Sequence, residues 1–157
     1  MFPPLDWPGT LRDVTRLLAA YLLALPVGWY RERESHSVGV RTFPLVAMAS
    51  CGYVLLASQQ YMNTVDARSR VIQGLLAGIG FIGGGAILCA DGNVHGTATA
   101  ASIFTTGVLG AMVAEDRYIL AALLSLVNLF TLRVLLPVKT RIDRGVNEPT
   151  DPAQPPT

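Results

Sequence analysis

The feature that most constrains this chain is a series of long stretches without a single Asp, Glu, Lys or Arg: residues 17–30, 42–65, 71–90, 92–114 and 118–132. Three of them reach the roughly 20 residues that an α-helix needs to cross a bilayer. The first and last are shorter, but they lie beside Arg16, Arg117 and Arg133, whose long stems can carry the charge to the interface. With 51% hydrophobic and 15% charged residues among 157, the chain departs from soluble proteins, in which about a quarter of residues are charged. The pattern predicts an all-α fold, an integral membrane bundle of about five transmembrane helices, with lipid as its solvent.

Along the chain, Thr10 is placed to cap the first helix after the turn residues "DWPGT", and Trp29 and Tyr30 mark its far interface. "RERESHSVGVR" reads as a connector outside the membrane. "ADGNVHG" reads as a turn, with Asp91, Gly92 and Asn93 as its turn formers. The fourth run, "TATAASIFTTGVLGAMVA", is rich in Thr, Ser, Ala and Gly, which let helices approach closely and bond across a pair, and it is expected inside the bundle. The fifth is evenly apolar and is expected to take most of the lipid contact. Residues 1–138 form the helical membrane domain in this reading, and 139–157 a polar, proline-rich, disordered tail. The N-terminus lacks the pattern of a cleaved signal, so the first span is expected to be retained. Six basic residues on one side against five on the other favour an outside N-terminus and a cytoplasmic C-terminus.

"GIGFIGGG", residues 78–85, spells the G-x-G-x-x-G of a dinucleotide site. Such a site needs a preceding strand, a helix opening within the glycines and an acidic residue about 20 positions on. Here the approach "RVIQGLLA" runs smoothly into the motif, and the window where the acid should stand reads "ATAASIF". Helical spacing offers another use: Gly74 and Gly78, like Gly80 and Gly84, stand four apart and leave smooth surfaces on more than one side. Close packing is one reading; a functional break at Gly83, Gly84 and Gly85, whose freed carbonyls line a polar cavity, is the other.

The charged loops offer Glu32, Glu34, Arg41, Asp66, Arg68 and Arg70. Ion pairing and interface anchoring are the plain reading. A shared Glu32/Asp66 site for hydrated Mg2+ is the sharper one, although the topology puts these two loops on opposite faces. His36, His95, Cys51 and Cys89 lack the spacing of a transition-metal site, and no Ser or Thr stands in a nucleophile context. No catalytic residue and no cofactor are therefore expected. A net charge of +1 without a basic stripe excludes a nucleic-acid groove. The expected partners are the lipid bilayer, a membrane protein, or a second copy of the chain.

The order of motifs resembles the membrane domain of the MgtC/SapB family: "RERE" after span one, "GVRTFPLV" opening span two, "DARSRVIQGLLAGIGFIGGGAIL" entering span three and "NVHGTATAASIFTTGVLG" entering span four. Together these cover roughly residues 28–136. The resemblance carries over Glu32 and Arg33; Gly39, Arg41 and Thr42; Asp66 and Arg70; Gln73, Gly78, Gly80, Phe81, Gly83 and Gly85; and Gly96, Thr99, Ala100 and Ala101. It implies a bacterial inner-membrane protein connected with growth in low magnesium, intracellular survival or acid tolerance. Some members act by regulating other membrane machinery, including the proton-driven ATP synthase, and direct Mg2+ transport by the family is doubtful. Departures are Ala67 where Pro is common, Gly84 where Ala is common, and Thr97-Ala98 where Leu and then Asn or Thr are common. Several members continue into a soluble C-terminal domain where a short tail is expected here.

The expected function is therefore a non-enzymatic membrane protein of magnesium or ion homeostasis, or a regulator of a membrane partner. The alternatives are a transporter or channel component for Mg2+ or another small ion, and a structural assembly subunit. The functional or packing residues expected are Glu32, Arg33, Arg41, Asp66, Arg70, Gly78, Gly80, Gly83, Gly85, Gly96 and Thr99.

Overall fold

A computed structural model describes residues 6–35, 39–60, 65–90 and 93–146. Five helices run alternately up and down: α1 (Trp7–Ser35), α2 (Thr42–Gln60), α3 (Val65–Gly85), α4 (Thr97–Ala114) and α5 (Tyr118–Val146). α1 begins ahead of Thr10, because Pro8 fits the first turn, where its missing N–H is not needed. The Thr10 hydroxyl instead bonds back to the Asp6 carbonyl at 2.8 Å. α5 continues through Val146, so residues 139–146 of the expected tail are helical, and 147–157 lie outside the described residues.

The uncharged run 71–90 is not one helix. α3 stops at Gly85, where three successive glycines give the helix its weakest propensity. The Ala86 and Ile87 amides close tighter turns onto the Gly83 and Gly84 carbonyls at 3.0 and 3.1 Å. The chain then forms a short antiparallel hairpin, β1 (Leu88–Ala90) with β2 (Asn93–His95), in the register Leu88 to His95. Asp91 and Gly92, expected as turn formers, lie outside the described residues.

As its composition predicts, α4 is the central helix and packs against each of the other four. Its buried residues Thr99, Ser102, Ile103, Thr106, Gly107, Gly110, Val113 and Ala114 recur at three- and four-residue steps. Gly110 lies directly on the Ala47 carbonyl of α2, where a side chain would overlap the backbone. Small residues, Ala20 and Ala24 of α1, Ala47 and Cys51 of α2 and Ala121 of α5, fill the core around Leu109 and Val113. A second cluster joins Val27, Phe43, Ile79, Ile103 and Leu132.

The outer surface carries many large apolar side chains. α5 exposes Ile119, Leu123, Leu126, Val127 and Phe130, and α3 exposes Ile72, Phe81 and Ile82. Among the described residues one helix, α4, is long and apolar enough to cross a membrane, and shorter apolar helical stretches occupy Thr42–Ser58 and Tyr118–Val134.

Candidate functional site

The alternation of the helices gathers the polar residues at two ends. One end combines the end of α1, the starts of α2 and α4 and the end of α3. Here Arg31, only 5% exposed, donates from Nη2 to the hydroxyl of Thr99 in the first turn of α4. Its neighbour Glu32 turns outward and accepts the Val40 amide on Oε2 at 3.0 Å, folding the α1–α2 connection back on itself. Gly39 fits because any side chain there would strike Glu32. Gly96, with φ 85°, opens α4 in a left-handed conformation that favours glycine, and its carbonyl accepts the Ala100 amide at 2.9 Å. A Cβ on Gly83 would stand 3.3 Å from the Ala100 carbonyl oxygen, so α3 and α4 also meet closely here.

Glu32, Gly83, Gly96 and Thr99, from three separate sequence motifs, thus belong to one junction. Arg33 and Arg41 border it and are exposed. The Arg33 guanidinium lies 5.2 Å from the centre of the Trp29 ring, and that of Arg133 lies 5.8 Å from Tyr30. Such stacking suits a cation at an interface.

At the other end, Arg16 of α1 holds Asp116, in the turn between α4 and α5, with Nε donating to Oδ1 at 2.9 Å and Nη2 to Oδ2. Arg68 of α3 donates to Glu115 beside it at 2.6 Å. The hydrogen bonds from Arg16 hold the Asp116 carboxyl below its ordinary range. Asp116 also ends α4: its φ is 59°, its amide returns to the Val113 carbonyl and the Arg117 amide to that of Met112. That pairing is the Schellman ending of a helix.

Asp66 and Arg70 sit at this second end, exposed on the outer side of α3 with Ser69 and Gln73. The 19 residues of α2, about 28 Å of helix, separate them from Glu32. A shared Glu32/Asp66 cation site is therefore not assembled. Among the described residues no group of three or more His, Cys, Asp and Glu side chains converges. His95 is exposed in β2, and His36 lies outside the described residues.

Between the ends, a seam of buried polar side chains follows α4. The Ser102 hydroxyl donates to Asn128 Oδ1 at 3.0 Å, the Thr106 hydroxyl to the Ser102 carbonyl at 2.8 Å, and the Ser125 hydroxyl to the Leu23 carbonyl at 2.7 Å. A hollow of about 240 Å3 opens beside Ser102, Thr105, Asn128 and Thr131. Arg31, Asn128, Ser125 and the Arg16–Asp116 pair were not among the expected site residues. A charge bordering an apolar run does not reveal whether it faces inward.

The glycines of α3 divide. A Cβ at Gly78, Gly80, Gly84 or Gly85 would meet nothing within 4 Å, and Phe81 among them is 84% exposed. Among the described residues, the side of "GIGFIGGG" that carries Ile79 and Gly83 meets α4 closely, Ile79 against Gly107 and Gly83 against Ala100.

The MgtC family model matches residues 17–141. The chain is 37% identical over 123 residues to protein SrpB of Synechococcus elongatus, covering 71% of this chain and 66% of that protein. It is 28% identical over 131 residues to YhiD of Escherichia coli, whose name proposes magnesium transport, covering 80% and 61%. It is 31% identical over 99 residues to protein MgtC of Salmonella typhimurium, covering 63% and 42%. In each case the match spans less than two thirds of the relative's length. No solved structure matches the chain.

Proposed function

The chain belongs to the MgtC family, and on that premise we propose that it is a multi-pass protein of the bacterial inner membrane that serves magnesium or ion homeostasis by regulating a membrane partner, without covalent chemistry. The observation that carries this reading is the unoccupied face of α3. Gly78 and Gly85 on one side, and Gly80 and Gly84 on the other, leave two bare strips that flank the exposed Phe81, and no described residue lies within 4 Å of where a Cβ at any of the four would stand. In lipid, helices associate through van der Waals packing where small residues allow close approach, so such a face suits another membrane helix. The exposed apolar side chains of α3 and α5 support embedding in lipid; the five uncharged runs support five spans, and six basic residues on one side against five on the other support an outside N-terminus and a cytoplasmic C-terminus. The magnesium connection rests on the name of YhiD and on the family.

The test is complementation in low magnesium of a strain lacking its own copy. Gly80→Leu is expected to reach the membrane at wild-type abundance and fail to restore growth. Full restoration counts against a partner docked on α3.

The buried seam of Ser102, Asn128, Thr106 and Ser125 favours a second reading, a path for a small ion along α4. Protein reconstituted in liposomes would then pass Mg2+ or another ion, and substitutions at Asn128 would change the flux. Flux equal to that of empty liposomes removes this reading.

A further inference from the structure

α2 and α3 both lean on α4 and leave between them an open slot of about 540 Å3, within the roughly 300–1,000 Å3 of small-molecule sites. Its walls are Leu45, Ala49 and Tyr53 of α2 with Gly74 and Ile82 of α3, over the buried Ile79. Small residues keep it open: a Cβ on Gly74 would already stand 3.2 Å from the Tyr53 hydroxyl. The slot extends from Thr42, the first residue of α2, to Tyr53. That is about 16 Å at roughly 1.5 Å per residue, close to the depth of one leaflet, half of a ~30 Å hydrocarbon core.

An open slot of that depth with a mostly apolar lining suits a flexible hydrocarbon chain. The Thr42 end is flanked by Arg41, which is exposed and makes no ion pair or side-chain hydrogen bond with the described residues. An apolar slot about one leaflet deep therefore begins one residue after Arg41, an exposed arginine of the kind suited to a phosphate oxygen.

We propose that the α2–α3 slot binds one acyl chain of an anionic membrane phospholipid, with the lipid's phosphate held at Arg41. The proposal rests on the membrane embedding proposed above. It gives Arg41 and Gly74 a role in lipid recognition.

The experiment uses the full chain reconstituted in phosphatidylcholine vesicles carrying a phosphatidylglycerol probe with a photoreactive group in mid-chain. Cross-links are mapped by peptide mass spectrometry. Labelling in the slot, at 49–53 and 74–82, is expected to exceed that on the open face of α5, at Leu123 and Phe130, and to exceed labelling by the matching phosphatidylcholine probe. Arg41→Gln should reduce the preference for the anionic probe about fivefold, the ratio given by roughly 1 kcal/mol per basic residue at an anionic surface. Ala49→Phe from one wall, or Gly74→Leu from the other, should bring slot labelling down to the α5 level while α5 labelling stays constant. Slot labelling no higher than that of α5, no preference between the probes, or no response to both blocking variants overturns the lipid site alone. A chain that alkaline carbonate strips from membranes and that is unlabelled on α5 overturns the embedding and the lipid site together.

Discussion

Arg16 and Asp116 stand 100 positions apart in the sequence and form a two-pronged ion pair that fastens α1 to the turn between α4 and α5. The same aspartate holds the left-handed position that ends α4, a conformation usually left to glycine or asparagine. Arg16 is 8% exposed, so its charge is compensated inside the bundle end rather than by water.

This latch is expected to respond to acid. The ordinary carboxyl value is 3.8, and the hydrogen bonds from Arg16 hold Asp116 below it. A depressed folded value means that the pair's contribution is fully present above 3.8 and is lost as the pH falls through the lower folded value. Thermal unfolding in detergent, followed from about pH 5 to about pH 3, should show a steeper fall in midpoint for the wild type than for Asp116→Asn. Identical pH profiles would show that the pair contributes nothing.

Two glycine substitutions should have opposite signs. Gly110→Ala forces a methyl group into the Ala47 carbonyl between α4 and α2, and overpacking of this kind costs about 1–3 kcal/mol. Gly78→Ala adds a methyl group where nothing lies within 4 Å and should stabilise α3 by up to about 1 kcal/mol through helix propensity. Denaturant titration in mixed micelles reads both.

At the opposite end, the buried bond from Arg31 to Thr99 ties α1 to the first turn of α4. Thr99→Val keeps the shape and removes the acceptor, at an expected cost of about 1–3 kcal/mol. Thr99→Ser keeps the acceptor and should recover most of it. Equal loss in the two variants would assign the effect to packing.

Asn128→Ala leaves the Ser102 hydroxyl without its partner between α4 and α5. Hydrogen bonds between membrane helices average about 0.6 kcal/mol and reach about 1.7, so the stability loss should be small. A large change in ion flux with that small loss would separate a transport role for the seam from a structural one.

The helices were legible because uncharged runs bounded by charges leave little else for the chain to do. The interior position of α4 was legible too, since "TATAASIFTTGVLGAMVA" carries small and hydroxylic residues on every face. The end of α3 was less so. By hydropathy alone, 71–90 continues without a break, and the stop at Gly85 depends on a balance between three glycines' propensity and the hairpin that follows. Spacing offers close packing as one reading of "GIGFIGGG", yet spacing tells which residues share a face and not whether another helix stands against it.

By itself, the sequence determined the five helices, the small-residue character of the central one and the family, because periodicity, charge spacing and motif order are local properties. Tertiary structure alone decided that Arg31 turns inward to Thr99 while Arg33 stays outside, and that Arg16 meets Asp116. Those outcomes depend on which helix faces align in space, and neighbouring positions on one helix can point to opposite sides of it.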